Sequence, residues 1–270
     1  MRKVMMGIIL SVIILNAQQL KNDLSQCISF LNEGDSQSCI ECVDRLLPQL
    51  PPNSKGLALF FLGESYYSIA IRSAEKNEAV RLFQSSLTAL DQALNEADLR
   101  ESDFYYTALY KKAWCHYRLG ELQHNSSEEF EKAYSTFRRI SNSIEELYPF
   151  SLFLAGEAKL NLVTLQITNI DVGDENAVAQ VLNSFIAQLN EAAMLFKTVV
   201  SAATPEQSLK NAAQLRIKDI SLLKGLLYGL SGDNNNAVKL LEEADYSTIN
   251  LSPDKSAALA EAAAYSEVMR

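Results

Sequence analysis

The stretch GLLYGLSGDNNNAVKLLEEA, residues 225–244, reduces to Gly225-x2-Tyr228-x3-Gly232-x4-Ala237-x3-Leu241-x2-Ala244. Apolar residues spaced by three and four continue on both sides of Ser231-Gly232-Asp233-Asn234, which spells two helices around one tight turn. Gly232 supplies the turn, and Gly225 and Ala237 carry too little bulk to hold the two helices apart. Tyr228 and Leu241 fill the remaining space. The unit so described is a pair of antiparallel helices.

The same grammar extends towards the N-terminus. Leu57, Phe60, Phe61, Glu64, Tyr67 and Ser68 step by three and four, as do Leu87, Leu90, Ala93 and Leu94. There is no sustained period-2 alternation and no Asn-Gly or Asp-Gly hairpin signal. Breaks at Asn32-Glu33-Gly34-Asp35, Pro51-Pro52-Asn53, Gly120 and Asp171-Val172-Gly173-Asp174 predict short helices separated by turns. With 10 glycines and 6 prolines in 270 residues, few positions break a helix. The chain is predicted to be all-α.

The spacing over 225–244 resembles the tetratricopeptide repeat at each principal position after the first tryptophan. Weaker copies follow the same pattern. Gly34-x4-Cys39 closes on Pro51, and seven residues before Gly34 stands Cys27 at the close-contact position. Leu62-Gly63-x2-Tyr66 opens a second copy, with Ala79-x3-Phe83 as its partner helix. Ala113 to Gly120, followed by Phe130-Glu131-Lys132-Ala133, is a third. Ala155-Gly156 opens a fourth, whose second helix falls in Val178 to Val200. The close-contact residues 27, 63, 113, 156 and 225 are 36, 50, 43 and 69 apart, where a regular array has about 34, so loops or helices are lengthened. The resemblance implies an α-α superhelix, a solenoid of about five divergent hairpins over residues 18–252. A polar, alanine-rich helix, Ser256 to Met269 within 253–270, is expected to cap it.

The resemblance also implies that the first helix of each hairpin lines a concave surface that takes peptides or extended segments. The register places Tyr67, Tyr110, Trp114, Tyr117, Arg118, Phe153, Glu157 and Asn161 on that side. Aromatic and arginine side chains are the commonest energetic anchors of interfaces. The competing reading is packing between repeats. Tyr105, Tyr106, Tyr110, Trp114 and Tyr117 fall within thirteen residues, however, and one helix cannot bury them all on one face. An aromatic groove that binds a protein or peptide is the expectation, with a small-ligand binder associated with a solute transporter as the alternative. A deep enclosed cavity lined by Trp114 and the tyrosines would favour the alternative.

At the N-terminus, Met1-Arg2-Lys3 precedes an apolar run from Val4 to Leu15, and Asn16-Ala17-Gln18 turns polar. This is the pattern of a secretory signal, residues 1–17, and too short for a comfortable membrane span. Cleavage after Ala17 leaves 253 residues with net charge −11. The expected destination is a bacterial periplasm or the exterior, with membrane association left open and no span after cleavage. The whole chain has 24 Lys and Arg against 33 Asp and Glu, a net charge of −9, which repels phosphate backbones and argues against nucleic acid as partner.

Chemistry-bearing residues are sparse. Cys39-Ile40-Glu41-Cys42 has redox spacing, and Asp35-Ser36 ahead of it is a candidate helix cap that would lower a thiol pKa. No βαβ context accompanies it, and zinc would need two further ligands. Three readings stay open: a structural disulfide between Cys27 and Cys39 or Cys42, free packing thiols, or redox or metal work. Cys115 reads as buried beside Trp114. His116 and His124 straddle Gly120 and so should not share a helix face. Glu128-Glu129, Glu145-Glu146 and Glu242-Glu243 diverge by about 100° on a helix and read as solvated surface. No catalytic motif, metal site or cofactor site is read, and no enzymatic activity is expected.

Overall fold

A computed structural model of the chain describes residues 19–20, 22–123, 126–168 and 175–244. The signal segment 1–17, the break at 171–174, His124 and the helix expected within 253–270 lie outside the described residues. Every regular element among the described residues is helical. Helix α1 covers 22–32, followed by α2 (Ser36–Leu46), a 3-10 turn (Leu47–Gln49), α3 (Pro52–Ala70) and α4 (Lys76–Asn95). Then come α5 (Ala97–Arg100), α6 (Tyr105–Leu122), α7 (Ser127–Phe137), α8 (Tyr148–Thr168), α9 (Glu175–Ser201), α10 (Gln207–Leu230) and α11 (Asn234–Glu243).

The chain divides into two compact units, Met1–Thr136 and Phe137–Arg270. In the first, α2 packs on α3, α3 on α4 and α4 on α6; in the second, α8 packs on α9, α9 on α10 and α10 on α11. The fold is an all-α succession of helical hairpins within each unit.

Two turns show how the local code works. Gly34 and Gly232 hold φ near +85° and +83°, the left-handed region that glycine enters without a Cβ clash. In the first, the amide of Asp35 donates to Phe30 O at 2.8 Å and that of Gly34 to Leu31 O at 3.0 Å. In the second, Asp233 donates to Tyr228 O at 2.9 Å and Gly232 to Gly229 O at 3.0 Å, the same doubly bonded helix stop. Each aspartate then starts the next helix. Its carboxylate accepts from the amide three residues on, Ser38 at 3.0 Å and Asn236 at 3.2 Å.

The close-approach residues are where the two helices of a hairpin touch. A Cβ on Gly63 would stand 2.8 Å from Leu90 Cγ, and one on Gly225 2.9 Å from Leu241 Cγ. One on Gly156 would stand 2.6 Å from the Phe196 ring. Gly120 corrects the expectation: α6 runs through it to Leu122, and it is a close-approach residue against the Phe130 ring, not a turn. The breaks are also further apart than short helices allow. Helix α9 has 27 residues and α10 has 24, and α5 is inserted ahead of α6, which accounts for the irregular spacing.

Helix α5 has a second consequence. The N-cap position of α3 is Pro51, whose side chain makes no capping bond. Asp98 of α5 instead reaches the second turn of α3, accepting from the amides of Gly56 and Leu57 at 3.1 Å each.

Candidate functional site

Helices α3 and α6 carry the expected contact residues of the first unit, Tyr67 on α3 and Tyr110, Trp114, Tyr117 and Arg118 on α6. Residues 110, 114 and 117/118 repeat at four and three and so share a face of α6. Trp114 and Tyr117 stack with centroids 5.2 Å apart and planes at 20°, and Tyr117 meets Phe130 edge-on at 5.5 Å. Tyr67, from α3, meets Phe83 edge-on at 6.0 Å, while Lys111 Nζ lies 4.3 Å above its ring. The same ammonium donates to Glu64 Oε1 at 2.9 Å, so one lysine ties α6 to α3 through a carboxylate and a ring. Glu64 Oε2 is buried with no hydrogen-bond partner. Arg118 pairs with Glu121 at 2.6 Å on the exposed side of the helix.

Burial sorts the expected contact residues. Tyr67 and Tyr117 are 6% and 7% exposed, so both serve chiefly as packing. Burial pushes the Tyr67 phenol well above its usual range and raises that of Tyr110. Tyr110, Trp114 and Arg118 are half-buried and keep accessible surface. In the second unit, Phe153 and Asn161 are half-buried on α8, and the Phe153 ring leans edge-on to Phe196 of α9 at 5.4 Å. Glu157 is buried and holds Arg216 of α10 through both oxygens, at 2.5 and 3.0 Å, and Asp219 takes the remaining Nη1 at 2.8 Å. Burial alone would lower the Arg216 guanidinium, but these carboxylates outweigh it and hold it above its ordinary value. Glu157 therefore links α8 to α10; its carboxylate is occupied by this chain.

The linking roles of Glu64, Lys111 and Arg216 are absent from the sequence reading. A usable signal exists in the repeated dipeptides Gly63-Glu64 and Gly156-Glu157. If glycine faces the partner helix of its hairpin, the next residue points about 100° round, towards the following first helix. Both glutamates do so, and each finds a cation there.

Two further expectations change. Glu128 is solvated, with a side chain 76% exposed, but Glu129 turns inward at 15% and accepts from His116 Nδ1 at 2.7 Å. Burial lowers the His116 pKa against the pull of Glu129. The Glu129 carboxyl, which burial alone would raise, is held below its usual range by His116 and Lys132.

Of the cysteines, Cys27 is bonded to Cys42 with Cα atoms 5.4 Å apart. Cys39 and Cys115 are buried free thiols. Burial raises the Cys39 thiol, against the helix-cap expectation, and pushes Cys115 up to about 12. With Cys42 committed to Cys27, the Cys39-x2-Cys42 spacing is not a dithiol pair. Among the described residues no group of three or more His, Cys, Asp or Glu could hold a metal ion. Among them, too, no helix is long and apolar enough to cross a membrane.

No protein-family model matches the chain, and no curated protein matches it. Among solved structures it is similar to a Podosopora anserina protein assigned as a kinesin light chain, with nearly identical TPR-like repeats. That likeness has 16% identity, covers 84% of this chain and 94% of the other, and has a TM-score of 0.39. A singly substituted form of the same protein gives 16% identity, 84% and 93% coverage and a TM-score of 0.41. The hypoxic regulator of sterol synthesis Nro1, a nuclear import adaptor, gives 15% identity, 88% and 90% coverage and a TM-score of 0.29. At these scores the fold assignment rests on the chain's own hairpins.

Proposed function

We propose that this protein is an exported, non-enzymatic scaffold or adaptor that holds a protein or peptide partner in the cell envelope. The observation that carries the reading is the α3–α6 face. Tyr110, Trp114 and Arg118 are half-buried there, backed by the packed Tyr67, Tyr117 and Phe130 rings. Rigid aromatic area beside an arginine suits an extended segment, because little rotamer freedom is lost on contact. Phe153 and Asn161 add a separate patch on α8 of the second unit. Export is supported by the basic start and apolar run of residues 1–17 and by the Cys27–Cys42 disulfide, which persists in oxidising compartments. The small-ligand alternative calls for an enclosed cavity around Trp114.

The test is capture from an envelope fraction with the wild-type chain, Arg118→Ala, Arg118→Lys and Tyr110→Ala, each checked for thermal melting. Capture should fall about tenfold in the alanine variants at unchanged melting temperature, and Arg118→Lys should recover part of it. Wild-type capture by both alanine variants would remove this face as the docking surface.

A further inference from the structure

The chain enters α8 and α10 beside a cleft of about 270 Å³ in the second unit, which the scaffold reading leaves unused. Glu145 and Glu146 come from the stretch ahead of α8, Pro149 and Phe150 from its first turn, and Pro205 and Glu206 from the turn into α10. The surface of the cleft is mostly apolar. The Phe150 ring is 42% exposed, and Phe104 is the one other exposed aromatic among the described residues. Phe104 packs on the rings of Phe60 and Phe61, whereas Phe150 meets no other ring among the described residues.

Every charged residue of the lining is an anion. Glu145 and Glu146 are exposed, and their carboxylates take no hydrogen bond or ion pair among the described residues. The Glu206 carboxylate accepts from Ser208 Oγ at 3.4 Å; Glu206 is the N-cap residue of α10, yet its side chain makes no capping bond. Negative charge near a helix start suits the helix dipole, which accounts for the sign of these residues. It does not account for an apolar ring left uncovered beside them. A phenylalanine face bordered by carboxylates fits one chemistry, a cation on an apolar stem. Arginine meets it best, because its planar guanidinium lies on a ring face and forks a carboxylate while its methylenes cover apolar surface. The volume falls below the roughly 300–1,000 Å³ of small-molecule sites and suits a single inserted side chain. Three carboxylates exceed the charge of one guanidinium, so the remainder calls for a second cation on the same guest.

We propose that this cleft is a docking surface for an extended basic segment of a partner protein, with one arginine laid along Phe150 and a second at the remaining carboxylates. In an extended segment, residues two apart share a face, so Arg-x-Arg is the simplest sequence that meets both demands. The chain's net charge of −9 adds attraction at longer range. This surface lies within the second unit and does not depend on the α3–α6 face, so either assignment stands or falls alone.

Calorimetric titration of the full chain with the end-capped peptide Gly-Ser-Arg-Leu-Arg-Ser-Gly tests this, beside the same peptide with both arginines replaced by citrulline and beside N-acetylarginine amide. The arginine peptide is expected to bind saturably at one site with a Kd below about 1 mM, and the other two at least about tenfold more weakly. Phe150→Ala should weaken the arginine peptide about threefold, and Glu145→Gln with Glu146→Gln about fivefold, each at wild-type melting temperature because these side chains are exposed. Glu101→Gln with Asp103→Asn removes the same charge from exposed positions of the first unit and should leave the affinity within about twofold. No saturable binding of the arginine peptide up to about 1 mM would overturn the assignment. So would an affinity that the citrulline peptide or N-acetylarginine amide matches, that Phe150→Ala leaves unchanged, or that the first-unit variant lowers as far as the Glu145 and Glu146 variant does.

Discussion

At the residue scale, glycine does the work that the sequence pattern credits to it, though not always in the place expected. Gly63, Gly156 and Gly225 are legible as close contacts because their spacing to a second small or apolar residue is fixed by helix geometry. Gly120 is not, because glycine marks both a turn and a tight approach, and only the position of Phe130 separates the two. Gly156 gives the sharpest consequence. Alanine there would gain up to about 1 kcal/mol of helix propensity. Its methyl, however, would lie 2.6 Å from a fully buried Phe196 ring that is itself held edge-on to Phe153. Overpacking of a rigid ring costs about 1–3 kcal/mol, so Gly156→Ala should be destabilising overall, measured as a lowered denaturation midpoint. A midpoint at or above wild type would mean that the ring shifts freely and the contact is loose.

At the element scale, the hairpin of α6 and α7 carries a pH dependence in its own contacts. Neutral His116 donates from Nδ1 to the Glu129 carboxylate, Lys132 supports that carboxylate from 3.1 Å, and the charge of Lys112, tied to Asp91 of α4, opposes protonation of the imidazole. Burial holds the folded His116 pKa below its ordinary value of about 6.5, so the unfolded chain takes up the proton first. Stability should therefore fall as pH drops from about 6.5 towards the lower folded value, and a further loss should follow as pH falls from the ordinary glutamate range, about 4.3, through the depressed Glu129 pKa. Denaturation midpoints between about pH 7.5 and 5 should decline in the wild type and flatten in His116→Gln, which keeps a donor but does not titrate. An equal decline in both would assign the dependence elsewhere. The inward turn of Glu129 is not legible in the sequence, since Glu128-Glu129 offers two adjacent carboxylates and nothing local says which one α6 will meet.

At the scale of the whole molecule, one covalent link closes the first hairpin. The Cys27–Cys42 bond spans 15 residues, and a loop of that size corresponds to about 3 kcal/mol in the chain-entropy account. Reduction, or Cys42→Ser, should lower amide protection in α2–α4 by an amount of that order, read by hydrogen exchange with and without reductant. Protection in α8–α11 should hold; an equal loss there would show that the two compact units unfold as one. Labelling with a thiol reagent should count two thiols, Cys39 and Cys115, only after denaturation, because both are buried.

What the sequence by itself determined is the helical period, the turn glycines with their capping aspartates, and the hairpin unit, all of which are set by residues within about a dozen positions of one another. What only the tertiary structure decided are the long-range partners: Asp98 taking the Gly56 and Leu57 amides of α3 from 42 and 41 residues away, Lys111 reaching Glu64, Arg216 closing on Glu157, and Cys42 rather than Cys39 meeting Cys27. Local spacing fixes the face of a helix on which a side chain emerges. The side chain it meets depends on the lengths and crossing of the helices between them, and these are set by packing of the assembled core.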